Sequence, residues 1–314
     1  MMLPVQHASQ LAARPPDRHW LVEQLWADEA VGILGGEPKC GKSFLALQIG
    51  VAVASGAPCL GRFTVPRPGR VLVFPAEDAL HIVRHRLDTL CSTADLELAD
   101  IDIQVITAPR LRLDLDADRQ ALAETVAHHR PKLLVLDPFV RLHRVDENAS
   151  QQIAPLLAFL RELQRRYNLA VLVVHHARKG AANSRAGQAL RGSSEFHAWG
   201  DSNLYLRRKG ETTTLTVEHR AAPSIPNLAL RLAACNNRVA LEIIDGPEHV
   251  SPPPPQSPQQ RVENVLAEAS TPLSIKDLRQ ACRIRTSTLC HVVAVLADAG
   301  RITKTEAGYQ IASE

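Results

Sequence analysis

Apolar residues fall along this chain in two kinds of run, and their alternation predicts the architecture. Short stretches that are continuously or almost continuously apolar occur at 31–34, 71–74, 103–106, 133–136 and 170–174. Runs of this length, rich in Val, Ile and Leu, predict strands buried on both faces, as in a parallel sheet covered by helices. Between them lie segments with apolar residues at helical spacing, about 42–53, 118–129 and 151–167. In the last, Ile153, Leu156, Leu157, Leu160 and Leu163 keep to one face. Strands alternating with helices in this order predict an α/β fold with a mostly parallel central sheet. Past residue 200 the pattern changes. Runs at 204–207, 212–217, 228–233 and 239–244, with turns at Lys209-Gly210 and Asn236-Asn237, predict hairpins that extend the sheet antiparallel.

The two ends read differently. Residues 1–28 hold Pro15-Pro16 and then Trp20-Leu21-Val22, a mixed pattern expected of an N-terminal arm preceding a core at 29–246. Residues 247–258 contain Pro252–Pro255 and predict an extended, semi-rigid linker. Beyond it, helices are expected at about 260–269, from a Ser274 cap to Cys282, and at 286–299, followed by short strands at 301–305 and 309–312. That order in 259–314 predicts a winged helix-turn-helix.

The strand at 31–34 leads into Gly36-Glu37-Pro38-Lys39-Cys40-Gly41-Lys42-Ser43, with Phe44 next on the helix. The spacing G-x-x-x-x-G-K-S between a strand and a helix is that of a phosphate-binding P-loop. Its glycines let the backbone turn its N–H groups inward, and the helix adds the positive end of its dipole. Lys42 then reaches the β- and γ-phosphates, and Ser43 offers its hydroxyl to Mg²⁺. These residues predict a nucleoside triphosphate site.

Other strand ends carry polar groups. Asp137 closes the 133–136 run as a Walker B carboxylate that would support Mg²⁺. Glu77 and Asp78 follow the 71–74 run, and either carboxylate could activate a water; Glu77 is the expected one, with Asp78 as rival, and it favours hydrolysis. His175 and His176 follow the 170–174 run. The next segment, 177–194, carries Arg178, Lys179, Arg185 and Arg191 with no acid, which suits contact with a nucleic-acid backbone. On the third helix of the C-terminal module and its wing, Arg283, Arg285, Thr288, His291, Arg301 and Lys304 are candidates for duplex DNA. That module holds seven basic against six acidic residues, so protein docking stays open beside DNA binding.

Composition narrows this little. The 314 residues are 45% apolar and 22% charged with a net charge of +3, ordinary for a soluble protein and too mild to argue nucleic-acid binding alone. Aromatic residues at 4% are too few for an extensive base-stacking platform. No C-x-x-C occurs among the six cysteines, and no run approaches membrane length, so a reduced, cytoplasmic protein with no membrane partner is expected.

The order of P-loop, Pro75-Ala76-Glu77-Asp78, Leu136-Asp137-Pro138, His143 to Glu147-Asn148, His175-His176-Ala177, Lys179-Gly180-Ala181-Ala182 and Arg191-Gly192-Ser193-Ser194 resembles the plasmid RepA-type hexameric helicases. These belong to the wider RecA/DnaB-like ATPases. The likeness spans about 20–245 and is most specific over 175–194. It implies a RecA-like core in a hexameric ring, ATP and Mg²⁺ at subunit interfaces, and translocation on single-stranded DNA. It also implies Glu77 as water activator, Asp137 as metal support and His176 as γ-phosphate sensor. An arginine finger from the neighbour is implied as well. The DnaB-like Lys-x-Arg position reads Glu218-His219-Arg220, and Asp201 stands where RepA-type helicases carry an arginine. Arg220 is the expected finger, with Arg207 and Arg208 as alternatives. The expected function is an ATP-hydrolysing DNA motor of a plasmid, phage or mobile element. An ATP-controlled DNA-binding regulator or loader without strand separation is the alternative.

Overall fold

The computed structural model describes residues 3–11, 19–176, 195–210, 212–235, 238–244, 258–269, 271–282, 286–305 and 308–312. Two compact units, Met1–Asp245 and Gly246–Glu314, are present.

In the first unit a hairpin of β1 (Trp20–Val22) and β2 (Trp26–Ala27) precedes β3 (Val31–Gly36) and α1 (Lys42–Ser55). Then come β4 (Val71–Pro75), α2 (Leu80–Thr93), β5 (Ile103–Val105), α3 (Asp116–His129), β6 (Leu133–Asp137), α4 (Ser150–Tyr167) and β7 (Ala170–His176). After α5 (Glu195–Trp199) follow β8 (Ser202–Lys209), β9 (Thr212–His219), β10 (Ile225–Cys235) and β11 (Arg238–Ile243). Among the described residues β3 to β11 form one nine-stranded sheet in the order β11-β10-β9-β8-β3-β7-β6-β4-β5.

The unbroken apolar strands are explained by their two-sided burial. Leu34, Val71, Val73, Leu133, Val135, Leu172 and Val174 face the core built with α1 and α2. Their neighbours Ile33, Leu72, Phe74, Leu134, Leu136, Val171 and Val173 face the core built with α3 and α4. The β1–β2 hairpin belongs to the first core, with Leu25 and Trp26 fully buried.

β8 has a double role that its sequence does not announce. It pairs parallel with β3 from Leu34↔Leu204 to Gly36↔Leu206, and antiparallel with β9 along its whole length. The parallel set is therefore six strands, and the antiparallel extension begins at β9. Where β3 runs ahead of this ladder, side chains replace the missing carbonyls: Val31 N–H donates to Asp201 Oδ2 (3.2 Å) and Ile33 N–H to Asn203 Oδ1 (3.1 Å). Buried backbone donors need such partners. At the free edge Gln48 of α1 bonds Leu241 of β11 through both its amide groups (2.9 and 3.0 Å), so the extension is tied to the P-loop helix.

The second unit holds α6 (Pro258–Glu268), α7 (Ile275–Cys282), α8 (Thr286–Asp298) and a hairpin of β12 (Ile302–Thr305) and β13 (Gly308–Ile311). Its own core contains Val262, Leu266, Leu278, Leu289, Val292, Val293, Leu296 and Ile302. Ser274 caps α7, its hydroxyl accepting from Asp277 N–H (3.3 Å) and donating to Asp277 Oδ2 (2.6 Å). Among the described residues no helix is long and apolar enough to cross a membrane.

Candidate nucleotide-binding site

Five of the parallel strands, β3, β4, β6, β7 and β8, bring their C-terminal ends to one edge of the sheet, with β3 between β7 and β8. Open α/β sheets bind ligands beyond such an edge. The P-loop leaves β3 at Gly36, where a Cβ would lie 2.5 Å from Leu206 O and 2.8 Å from Cys40 Sγ. Only glycine allows that approach. Gly41, at φ 94°, is the N-cap of α1 and supplies no side chain to the first-turn N–H groups, which leaves them for an external acceptor.

Lys42 is buried (5% exposed), with Nζ donating to Gly36 O (3.0 Å) and Glu37 O (2.7 Å). Burial lowers its pKa, against the charges of Cys40, Asp137, Glu77 and Glu37. Cys40 lies beneath the loop, and burial pushes its thiol up.

Asp137 ends β6 almost fully buried, and burial raises its pKa to about 6 against a hydrogen bond donated by Ser43 and the charge of Lys42. Its backbone oxygen accepts from Ala76 N–H (2.6 Å), which ties the tips of β4 and β6 together. The peptide from Asp137 to Pro138 is cis. The two acids after β4 part company. Glu77 borders the cleft and accepts from Arg141 Nε (2.7 Å). Asp78 forms an ion pair with Arg86, and there the arginine borders the cleft.

His176 ends β7 on the cleft side, with its pKa lowered by burial and then by Lys42. Its Nδ1 is buried with no hydrogen-bond partner among the described residues. His175 points to the opposite face, stacked on Phe196 at 4.3 Å, with Nδ1 3.8 Å from Glu147 Oε1. His143 Nε2 lies 3.5 Å from the same oxygen. His143 and Glu147 of the His143–Asn148 motif thus pack behind β7 rather than in the cleft.

The cleft measures about 430 Å³ and is bordered by Lys39 to Phe44, Glu77, Asp137 and His176. Arg208 of β8 and Thr213, Leu232 and Leu241 of the antiparallel extension also border it. Its donor set fits a magnesium nucleotide. Ser43 and Asp137 offer the hard oxygens Mg²⁺ takes, while Lys39, Lys42 and the free helix N–H groups would bind phosphate.

Of the expected fingers, Arg208 borders its own chain's cleft. Arg220 is held by its own chain, 3.3 Å from Asp201 Oδ1 and bonded to Ala198 O (2.5 Å). Arg207 is half-buried on β8. Asp201 also pairs with Arg161 of α4. Arg178, Lys179, Arg185 and Arg191, and likewise Arg283 and Arg285, lie outside the described residues. Thr288, His291 and Lys304 are exposed, and Arg301 pairs with Glu263 at 2.8 Å. Sequence reasoning missed Arg86, Arg141 and Thr213. None sits in a motif, and only the turns after β4 and β6 and the curl of the extension bring them here.

The model of an AAA domain family, AAA_25, matches residues 1–182. The chain belongs to this family. Its fold is shared with a solved ATPase domain at TM-score 0.53 and 12% identity, covering 68% of this chain and 86% of that one. The RadB recombinase aligns at TM-score 0.50 and 18% identity, over 69% of this chain and 92% of that one. A DnaB-like replicative helicase, solved in a study of its interactions with primase, aligns at TM-score 0.52 and 13% identity, over 68% and 57%. The first unit of this family member is a P-loop ATPase domain that shares its fold with these RecA- and DnaB-like proteins, with the mostly parallel sheet and antiparallel extension expected of it.

Proposed function

We propose that this family member is a DNA-dependent ATPase that works as an oligomeric ring, a helicase of the RepA/DnaB kind serving a plasmid, phage or other mobile element. The observation that carries the reading is the convergence of Lys42, Ser43, Asp137, Glu77 and His176 on one cleft from four strand ends. Lys42 and the first turn of α1 would bind phosphate, and Ser43 and Asp137 would hold Mg²⁺. A bound magnesium nucleotide supplies a phosphoanhydride and a divalent cation that offsets charge on its oxygens. Glu77 would orient and deprotonate a water, and His176 would contact the terminal phosphate. Single-stranded DNA is the partner read for 177–194. The second unit is read as a winged helix for duplex DNA, with Thr288, His291 and Lys304 exposed on it.

ATP turnover measured against protein concentration, with and without single- and double-stranded DNA, tests this. A ring predicts specific activity that rises steeply with concentration and with single strands. Turnover that is constant on dilution and indifferent to DNA overturns it.

The attachment of Arg220 to Asp201 within its own chain favours a second reading, an ATP-controlled DNA-binding regulator or loader. That reading predicts tight duplex binding, lost on removal of 247–314, with no strand separation.

A further inference from the structure

Two carboxylates follow β4, and each is claimed by an arginine, but in opposite senses. Arg86 borders the cleft with Asp78 bonded to it. Glu77 borders the cleft, and Arg141 holds it from outside the lining through Nε and Oε1 at 2.7 Å. Arg141 closes a short helical turn, Phe139–Arg141, anchored by the fully buried Phe139 and Leu142. Both Arg141 N–H and Leu142 N–H bond back into that turn, at 3.1 Å to Pro138 O and 2.8 Å to Phe139 O. The guanidinium thus projects from a rigid base directly after Asp137. Glu77 sits on the bend after β4, whose neighbour Ala76 is fastened to Asp137 O. The pair is largely exposed, with side chains 63% and 42% accessible, so its worth to folding is small.

From this geometry we infer that Arg141 is a positioning residue for Glu77, occupying one carboxylate oxygen so that the other is presented to the cleft. A base whose side chain is itself oriented by a third group recurs in activated catalytic sites. Carboxylate rotation is otherwise nearly free, since χ3 of glutamate is broad. Locking it matters because misplacement of a catalytic group by about 1 Å costs up to about 100-fold in rate.

The inference rests on the proposed ATPase reading. Single-turnover hydrolysis of radiolabelled Mg-ATP by the full-length protein, with single-stranded DNA, tests both. Wild type is compared with Lys42→Ala, Glu77→Gln, Arg141→Ala, Arg141→Lys and the Glu77→Gln/Arg141→Ala double variant, with nucleotide Kd measured separately. Arg141→Ala is expected to slow the chemical step about 10-fold with Kd unchanged within about 2-fold. Arg141→Lys should restore part of the rate. In the Glu77→Gln background the Arg141 change should cost nothing further. An equal loss in both backgrounds, a changed Kd with unchanged rate, or no loss at all overturns the role of Arg141 and leaves the ATPase reading standing. Hydrolysis that survives Lys42→Ala, or its absence from wild type, overturns the ATPase reading and this inference with it.

Discussion

Replacing Asp137 with Asn should stabilise the nucleotide-free protein while weakening its hold on Mg-ATP. Burial lifts the Asp137 carboxyl from 3.8 to about 6. In the unfolded chain it titrates near the ordinary value of about 3.9. Between roughly pH 4 and 6 the folded state therefore holds a proton that the unfolded state has released, so stability falls as pH rises through that window. A displacement of about two units corresponds to about 3 kcal/mol at 1.36 kcal/mol per unit. Asn escapes that cost and still accepts from the Ser43 hydroxyl, but it removes the charge facing Lys42. The net gain should be about 2 kcal/mol above pH 7 and near zero at pH 4. For a body of this size that is about 4–8 °C in Tm. Thermal melts of both proteins from pH 4 to 8, in chelator and without nucleotide, read the difference directly. The reasoning is refuted if Asp137→Asn melts below wild type at pH 8, or if the gap does not widen with pH. The gain would be an instance of a functional site held at the expense of stability.

Two further outcomes follow from the same geometry. Lys42→Ala should weaken Mg-ATP binding about 10- to 100-fold, the worth of a lost charge-assisted contact or two, and leave the nucleotide-free Tm within a few degrees; calorimetric titration giving an unchanged Kd would contradict the assignment of the P-loop. Gly32→Ala places a Cβ 1.6 Å from Ser202 O and 3.0 Å from Trp26, so β3 must shift against backbone, at about 3 kcal/mol or more. A urea midpoint equal to wild type would show that the β3–β8 seam is looser than described.

The phosphate-binding half of the site was legible in the residues themselves. A P-loop is local: its glycines, its lysine and its helix dipole act within eight successive residues, so spacing alone locates it. The central strands were equally plain, because burial on both faces removes every polar position and leaves 133–136 or 170–174 nothing else to be. Glu77 and Asp137 could be named from their places after such strands, yet the choice between Glu77 and Asp78 was left open by the sequence. Their arginine partners lie 64 and 8 residues away in the chain, beyond any local pattern that holds the two acids.

What the tertiary structure alone decided is everything that depends on which strand lies beside which. β8 reads as the first strand of a hairpin, yet it also closes the parallel set against β3. Asp201, in the place of an expected arginine, is a structural acceptor for Val31 N–H, Arg161 and Arg220. Arg208, Thr213, Leu232 and Leu241 reach the cleft through the pairing of β8 with β3 and of the extension with β8, with Gln48 tying β11 to α1. Local pattern encodes burial and turn chemistry within a few residues. Pairing across 170 or 193 residues is settled by the packing of the whole sheet, which no window on the sequence contains.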